Sequence, residues 1–441
     1  GKIEMGQGVV TSFAQMMAEE LDVAYESVDM VMGDTDVCPW DAGTWGSLST
    51  RYYGVFVKEA ACEAKAVLKE MAAERLLCPV ERLATENGVI FDKNRPMIRV
   101  TYGELTEGKV IERHLKNLPP LAPVSQYTVS GKSYLRRDSV EKVTGKAQFT
   151  ADIRLPDMLY ARILRPPAHG AGLQRVDTSA AEKIKDVQVL RDGDLIAVLH
   201  PDPEGAAKAL AAIKADFALP NTGIDHENIF EHLLENAPSP VVAGRAGDLA
   251  AGEKKAAAVV EKTYLNSYVA HAPMEPHAAL AEVNNGRATV WASTQTPFGV
   301  QGQISRALGL SMEKVRIIAP FVGGGFGGKS ASAQALEAAR LAKRAGRPVM
   351  VTWTREEEFF FDTFRPAAVV KVRSGVDTDG RLCLWDYHVY FAGSRGSENF
   401  YEIPHHRESV YGEWRIGPGI HPFAVGPWRA PGANTNTYAR D

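Results

Sequence analysis

Two glycine-rich turns hold the residues of clearest chemical potential. The stretch 315–329, VRIIAPFVGGGFGGK, carries five glycines in the six residues Gly323 to Gly328, and the alanine-rich SASAQALEAARLAKRA follows it. Val315, Ile317, Ile318, Phe321 and Val322 suit a buried strand, and the alanine-rich stretch suits a helix, so strand, tight turn and helix are expected. Glycines let the backbone take positive φ and approach a ligand closely, and a helix start offers unpaired N–H groups, so an anionic group is the natural guest. The spacing Gly323-x-x-x-x-Gly328-Lys329-Ser330 also satisfies the phosphate-binding P-loop pattern, and LCLWD, ending at Asp386, could serve as its acidic strand. The second turn is Gly6-Gln7-Gly8, where Gln7 can present an amide donor and acceptor. Two histidines, His271 and His277, lie six apart across two prolines, a poor spacing for a shared metal.

The elements that must position these turns follow from local patterning. An opening strand is expected before Gly6. A helix carries Phe13, Met16, Met17 and Leu21 on one face, with Ser12 and Gln15 spaced as a capping box that would start it just after the turn. VDMVM at 28–32 reads as a strand, the hydroxyl-rich loop 43–50 could offer donors to phosphate or a pterin ring, and a long helix spans about 54–77. Asn87-Gly88 marks a hairpin, and NLPPLAPV at 117–124 reads as a linker. From there the expected organisation is a first segment over 1–120, a compact α+β unit over 130–220, and a third region over 253–441. In the middle unit Arg137, Asp138, Lys142 and Asp152 read as structural ion pairs. The fold class is mixed α/β, of the α+β kind, in several domains.

Length and charge bound the rest. A chain of 441 residues with 45% hydrophobic and 24% charged content has room for about three domains. A net charge of −4 makes no electrostatic case for nucleic acid, and no apolar run approaches the roughly 18 residues of a transmembrane segment. The cysteines, Cys38, Cys62, Cys78 and Cys383, are scattered and form no iron–sulfur, zinc or haem signature, which leaves buried thiols as the reading.

Six stretches then acquire a shared meaning: EMGQG at 4–8, KVTGKAQFTADIRLPDMLYARILRPP at 142–167, HAPMEPHAAL at 271–280, STQTPFG at 293–299, GGGFGGK at 323–329 and WRAPGANTN at 428–436. Together they resemble the molybdenum hydroxylases, the xanthine dehydrogenase and aldehyde oxidase family, and most of all its isoquinoline 1-oxidoreductase and nicotinate dehydrogenase large subunits. The resemblance implies an α/β hammerhead unit at 130–220 flanked by molybdopterin-binding segments at 1–120 and 253–441. It also implies a cofactor-binding set of Gly6, Gln7, Gly8, Gln295, Gly324, Gly325, Phe326, Gly327 and Arg429, with Phe326 walling the substrate channel. The metal would be held through the pterin, with no direct protein ligand. The pterin would be molybdopterin cytosine dinucleotide with molybdenum, its pyrophosphate received by the glycine turns. Electrons would leave through a separate small 2Fe–2S subunit and a cytochrome c subunit or domain. The reaction implied is hydroxylation of an aldehyde or nitrogen heteroaromatic with water as oxygen source.

Three departures shape that expectation. MGQG precedes GGFGGK here, as in the isoquinoline-oxidoreductase arrangement. Ser330, Ala331 and Ser332 stand where purine-oxidising members carry a glutamate, which argues against xanthine. The family's catalytic glutamate, in a GxGE motif, is expected beyond Asp441, so no catalytic base is assigned, and the sequence is expected to be a fragment whose compartment cannot be read, although relatives of this type are often exported already folded. The alternatives are a P-loop nucleotide-binding protein using Gly323 to Ser330, and a cofactor-free scaffold paralogue.

Overall fold

The run LIAVLH at 195–200 forms a strand buried along almost its whole length, the pattern of a strand covered on both faces. It belongs to a seven-stranded sheet of order Val315–Ile318, Arg287–Ala292, Ala278–Asn284, Val349–Thr352, Leu159–Ile163, Leu195–His200 and Gln188–Asp192. The computed structural model describes residues 1–115, 117–415 and 419–441. Val349–Thr352 runs parallel to Leu159–Ile163, pairing Val349 with Leu159, and antiparallel to Ala278–Asn284. The helix Ala333–Ala345 lies on these central strands. Its contact face is Ala335, Ala338, Ala339 and Ala342, all fully buried, whose short side chains let the helix sit close to the sheet. A second sheet, ordered Ala258–Asn266, Ala368–Val376, Leu382–Tyr390, His406–Tyr411 and Val241–Ala246, has its own core of Val370, Val372, Tyr387, Val389 and Val410.

Contacts divide the chain into two compact units, residues 150–317 with 323–441, and residues 1–149 with 318–322. In the latter, the helix Val9–Leu21 packs on the helix Gly54–Leu76, close to the expected 54–77, beside an antiparallel sheet of Leu83–Glu86, Val89–Asp92 and Arg95–Thr101. Asn87 and Gly88 turn the hairpin with φ of 48° and 76°, the double positive φ of a tight primed turn.

Several expected boundaries differ. The first helix starts at Val9, without a side-chain cap from Ser12; Ser12 Oγ bonds the Val9 carbonyl, and Gln15 reaches residues 129 and 132. Residues 1–8 and 28–32 form no strand, because high β-propensity does not make a ladder without a neighbouring strand. The proline-rich stretch does not free the residues beyond it. The Glu19 carboxylate accepts the N–H groups of Thr128, Val129 and Ser130 at 3.0, 2.7 and 2.7 Å, and Gln15 donates to the Val129 and Lys132 carbonyls, so residues 128–132 stay clipped to the first helix. Of residues 130–220, three strands join the seven-stranded sheet. Arg137 and Lys142 pair with Asp29 and Asp138 as structural ion pairs.

Candidate functional site

The strand expected to lead into the glycine loop ends at Ile318, and the following helix begins at Ala333. Residues 323–328 are shaped by contacts with four other segments of the same unit. Gly323 N–H donates to Glu275 Oε2 at 2.7 Å. Gly327 N–H donates to Gln295 Oε1 at 2.9 Å, and the same oxygen occupies the space a Cβ on Gly325 would need. Gly327, at φ +115°, lies against the Pro427 carbonyl, and Gly328 against Asp362 and the His271 ring. The Phe326 carbonyl accepts Arg429 N–H at 2.8 Å. Glycine is therefore required at 325, 327 and 328 for three different steric reasons.

What the loop leaves without a protein partner is a set of donors. The N–H groups of Gly324, Gly325 and Phe326 have no acceptor among the described residues. Gly324 and Phe326 both take positive φ, 92° and 56°, an alternation of the kind from which anion-binding backbone nests are built. Phe326 is a non-glycine residue held in the left-handed region and 44% exposed, and Arg429 is also exposed. Gln295, buried to 2%, precedes the helix Pro297–Leu308, and its own N–H donates to the Lys329 carbonyl at 2.7 Å. These residues fit a molybdopterin: preset neutral donors, a buried amide and a close backbone approach suit oxygen and sulfur atoms carrying negative charge.

Lys329 points the other way. It is fully buried, with its ammonium 2.7 Å from Glu275 Oε2. Burial lowers its pKa, and the Glu275 charge opposes that without reversing it. Phosphate cannot be its partner, and a three-residue turn with two further residues separates the loop from the helix start, so the P-loop reading fails on both of its structural requirements. Asp386, the supposed acidic strand residue, pairs with Arg407 and His388.

The two histidines take separate carboxylates. His271 Nδ1 lies 2.8 Å from Asp362 Oδ2 and Nε2 2.7 Å from the Pro427 carbonyl; burial would lower its pKa, but Asp362 and the carbonyl outweigh it and raise it. His277 bonds Glu358 Oε2 through both its N–H and Nδ1. His277, Glu358 and Asp362 bring ligand-type atoms within 4.8 Å of one another, but these internal bonds occupy the group, and no metal is assigned to it.

In the first unit, the Gly6-Gln7-Gly8 turn is closed on itself. The Glu4 carboxylate accepts N–H from Gly6, Gly8 and Val10 at 2.9, 3.0 and 3.2 Å, which places a resident anion at the helix start. Gln7 accepts Met5 N–H at 2.7 Å and donates to the Ile3 carbonyl at 2.9 Å. Arg136 donates to the Gly6 carbonyl and stands 3.6 Å from Glu4. Sequence reasoning gave no role to Glu4, Glu275, Glu358, Asp362 or Pro427, and weighed His271 only as a metal ligand. The one signal was the HAPMEPH segment, whose His, Glu and His face three different partners.

Residues 1–150 and 233–405 each match a family model described as molybdopterin cofactor-binding domain, and together the matches cover well over half of the chain. A nicotinate dehydrogenase subunit of Pseudomonas putida is 30% identical over 402 residues, covering 89% of this chain and 34% of that protein. The beta subunit of isoquinoline 1-oxidoreductase from Brevundimonas diminuta is 28% identical over 433 residues, covering 86% of this chain and 55% of that protein. Quinoline 2-oxidoreductase from Pseudomonas putida 86 shares the fold at a TM-score of 0.56 and 22% identity, over 68% of this chain and 46% of that one. Fold, loop and matches define a molybdopterin-binding protein. The chain belongs to the molybdenum hydroxylase family, among its molybdopterin-binding large subunits. It spans about a third of the first of these curated relatives and about half of the second.

Proposed function

We propose that the chain is the molybdopterin-binding part of a catalytic subunit that hydroxylates an aldehyde or a nitrogen heteroaromatic, with water as oxygen source and two electrons released. The observation that carries the reading is the row of N–H groups at Gly324, Gly325 and Phe326, set beside the Gln295 amide and without a protein acceptor among the described residues. When bound, molybdenum in its pterin supplies the water-derived oxygen and takes up the electron pair. The loop's donors meet the negative charge that develops there. Because Glu275, Gln295 and Pro427 fix the loop beforehand, little reorganisation is needed during reaction. Phe326 walls the substrate channel, and Arg429, tied to Phe326 through its N–H, offers the cation at the rim. Gly6, Gln7 and Gly8, in the first segment, are assigned to pterin binding; Gln7 there accepts the Met5 N–H and donates to the Ile3 carbonyl.

The finer assignments follow from chemistry and from what the relatives are called. The names nicotinate dehydrogenase and isoquinoline 1-oxidoreductase favour an electron-poor heteroaromatic ring, and Ser330 after the loop lysine disfavours a purine. The pterin is the cytosine dinucleotide form. The four cysteines are all free and three are buried, so electrons leave through a small 2Fe–2S partner and onward to a cytochrome.

The test is molybdenum analysis by mass spectrometry, together with identification of the nucleotide released by acid hydrolysis, on the complex purified from its native host. Stoichiometric molybdenum with CMP is expected. A complex with neither would overturn the reading in favour of a cofactor-free scaffold.

A further inference from the structure

We infer that His271 is a positioning residue: held as an imidazolium between Asp362 and the Pro427 carbonyl, it locks the glycine loop to the turn that carries Arg429. The inference rests on the reading of that loop as the molybdenum-facing wall. Hydrogen-bond chemistry sets the protonation of the ring. A proline carbonyl can only accept, so Nε2, at 2.7 Å, carries a proton; an ionised carboxylate can only accept, so Nδ1, at 2.8 Å, carries one too. A neutral imidazole has a single N–H and could satisfy only one of the two. The other oxygen of Asp362 accepts Thr363 N–H at 2.7 Å, so both carboxylate oxygens act as acceptors.

The same ring and carboxylate fill the space beside Gly328, and the carbonyl that His271 holds is the one that fills the space beside Gly327. Two residues beyond that carbonyl, Arg429 N–H bonds Phe326. Pro427, Gly327, Phe326 and Arg429 therefore form a closed ring of contacts, and His271 braces it from behind. The His271 side chain has no exposure, so water cannot replace a lost bond. Beyond Asp362, the titratable groups around it are Glu358, Lys329 on the loop, and Glu275 and His277 along its own segment. Loss of the ring proton would release either the carbonyl or the carboxylate, and with it the register between loop and turn.

Two variants test this, H271Q and D362N. Glutamine carries both of its N–H groups on one nitrogen and cannot donate from the two ring-nitrogen positions, whereas asparagine at 362 removes the negative charge that holds the second ring proton. Hydrogen exchange of peptides covering 323–330 and 426–432 is measured on the chain with and without molybdenum, alongside kcat and KM against pH. In H271Q, exchange in both segments should rise about tenfold while other core peptides hold, with kcat falling more than KM changes. In D362N, the alkaline limb of kcat should move to lower pH. Wild-type exchange in H271Q, or an unmoved pH limb in D362N, would overturn the brace. Should H271Q fail to fold, the D362N pH limb still decides. Should the complex hold no molybdenum, the functional reading fails, while exchange in the metal-free chain still reports whether loop and turn are coupled.

Discussion

Lys329 Nζ and Glu275 Oε2 lie 2.7 Å apart with no exposure of the lysine, and that same oxygen accepts the N–H of Gly323. One carboxylate oxygen thus ties down both ends of a six-residue glycine loop. Removing the ammonium strands a buried carboxylate, so Lys329→Met should cost about 3–5 kcal/mol, and adding Glu275→Gln should recover part of it. Chemical denaturation of both variants measures this. ATP binding, tested by calorimetry, should be absent in the wild-type chain.

Gln295→Ala removes the acceptor of Gly327 N–H and leaves a loop whose donors are no longer fixed. Turnover should fall roughly a hundredfold, the scale of losing one preset donor, with molybdenum content unchanged. Arg429→Ala should also lower turnover strongly while the complex assembles normally, because its side chain is exposed. Wild-type turnover in both would remove these residues from the site.

A methyl group discriminates between glycines. Gly327→Ala forces a side chain onto the Pro427 carbonyl at φ +115° and should destabilise the chain by at least about 3 kcal/mol. Gly380 also has positive φ, 75°, but nothing within 4 Å of a new Cβ, so Gly380→Ala should cost only about 1 kcal/mol. Thermal unfolding of the pair separates collision from backbone strain.

Two buried histidines pull stability in opposite directions with pH. Burial holds His421 down to about 4, with Tyr268 OH hydrogen-bonded to its Nδ1 at 2.6 Å. Since an unfolded histidine titrates near ~6.5, the unfolded chain gains a proton the folded one refuses, and stability falls as pH drops from about 6.5 to about 4. His421→Phe should flatten that acid loss. His271 is shifted upward, so its contribution is complete below about 6.5 and is lost as pH rises through its folded value. Urea midpoints across pH, with and without each histidine, give both limbs.

Glu4→Ala empties the start of the Val9–Leu21 helix of its carboxylate cap and should cost about 1–2 kcal/mol, with Ser12 unable to compensate from inside the helix. A melt of Glu4→Ala beside Ser12→Ala distinguishes the real cap from the one the sequence suggested.

The site was legible wherever its signal was local. Consecutive glycines, a helix-forming run over 54–76 and an Asn-Gly hairpin announce themselves within a few residues. The resemblance assigned Gln295 and Arg429 to the cofactor; what the structure adds is that both hydrogen-bond the loop. What escaped is everything decided across distance. Lys329 finds Glu275 54 residues upstream, and His271 finds Asp362 91 residues downstream. Neither pairing leaves a trace in spacing. The helix start was misjudged because its cap comes from Glu4, outside the motif that Ser12 and Gln15 imitate. Val28 to Met32 has strand composition but no ladder, since pairing depends on a neighbour that the fold does not provide.

The crowding around Gly325, Gly327 and Gly328 bears on how such a loop can change over generations. Each position is closed by a different neighbour, an amide, a carbonyl and a histidine–carboxylate pair, so no single compensating change elsewhere could open all three. Drift through sequence space should therefore stall at the loop's inner face. Phe326, whose ring projects outward, is the place where neighbouring enzymes can diverge without rebuilding the wall behind it.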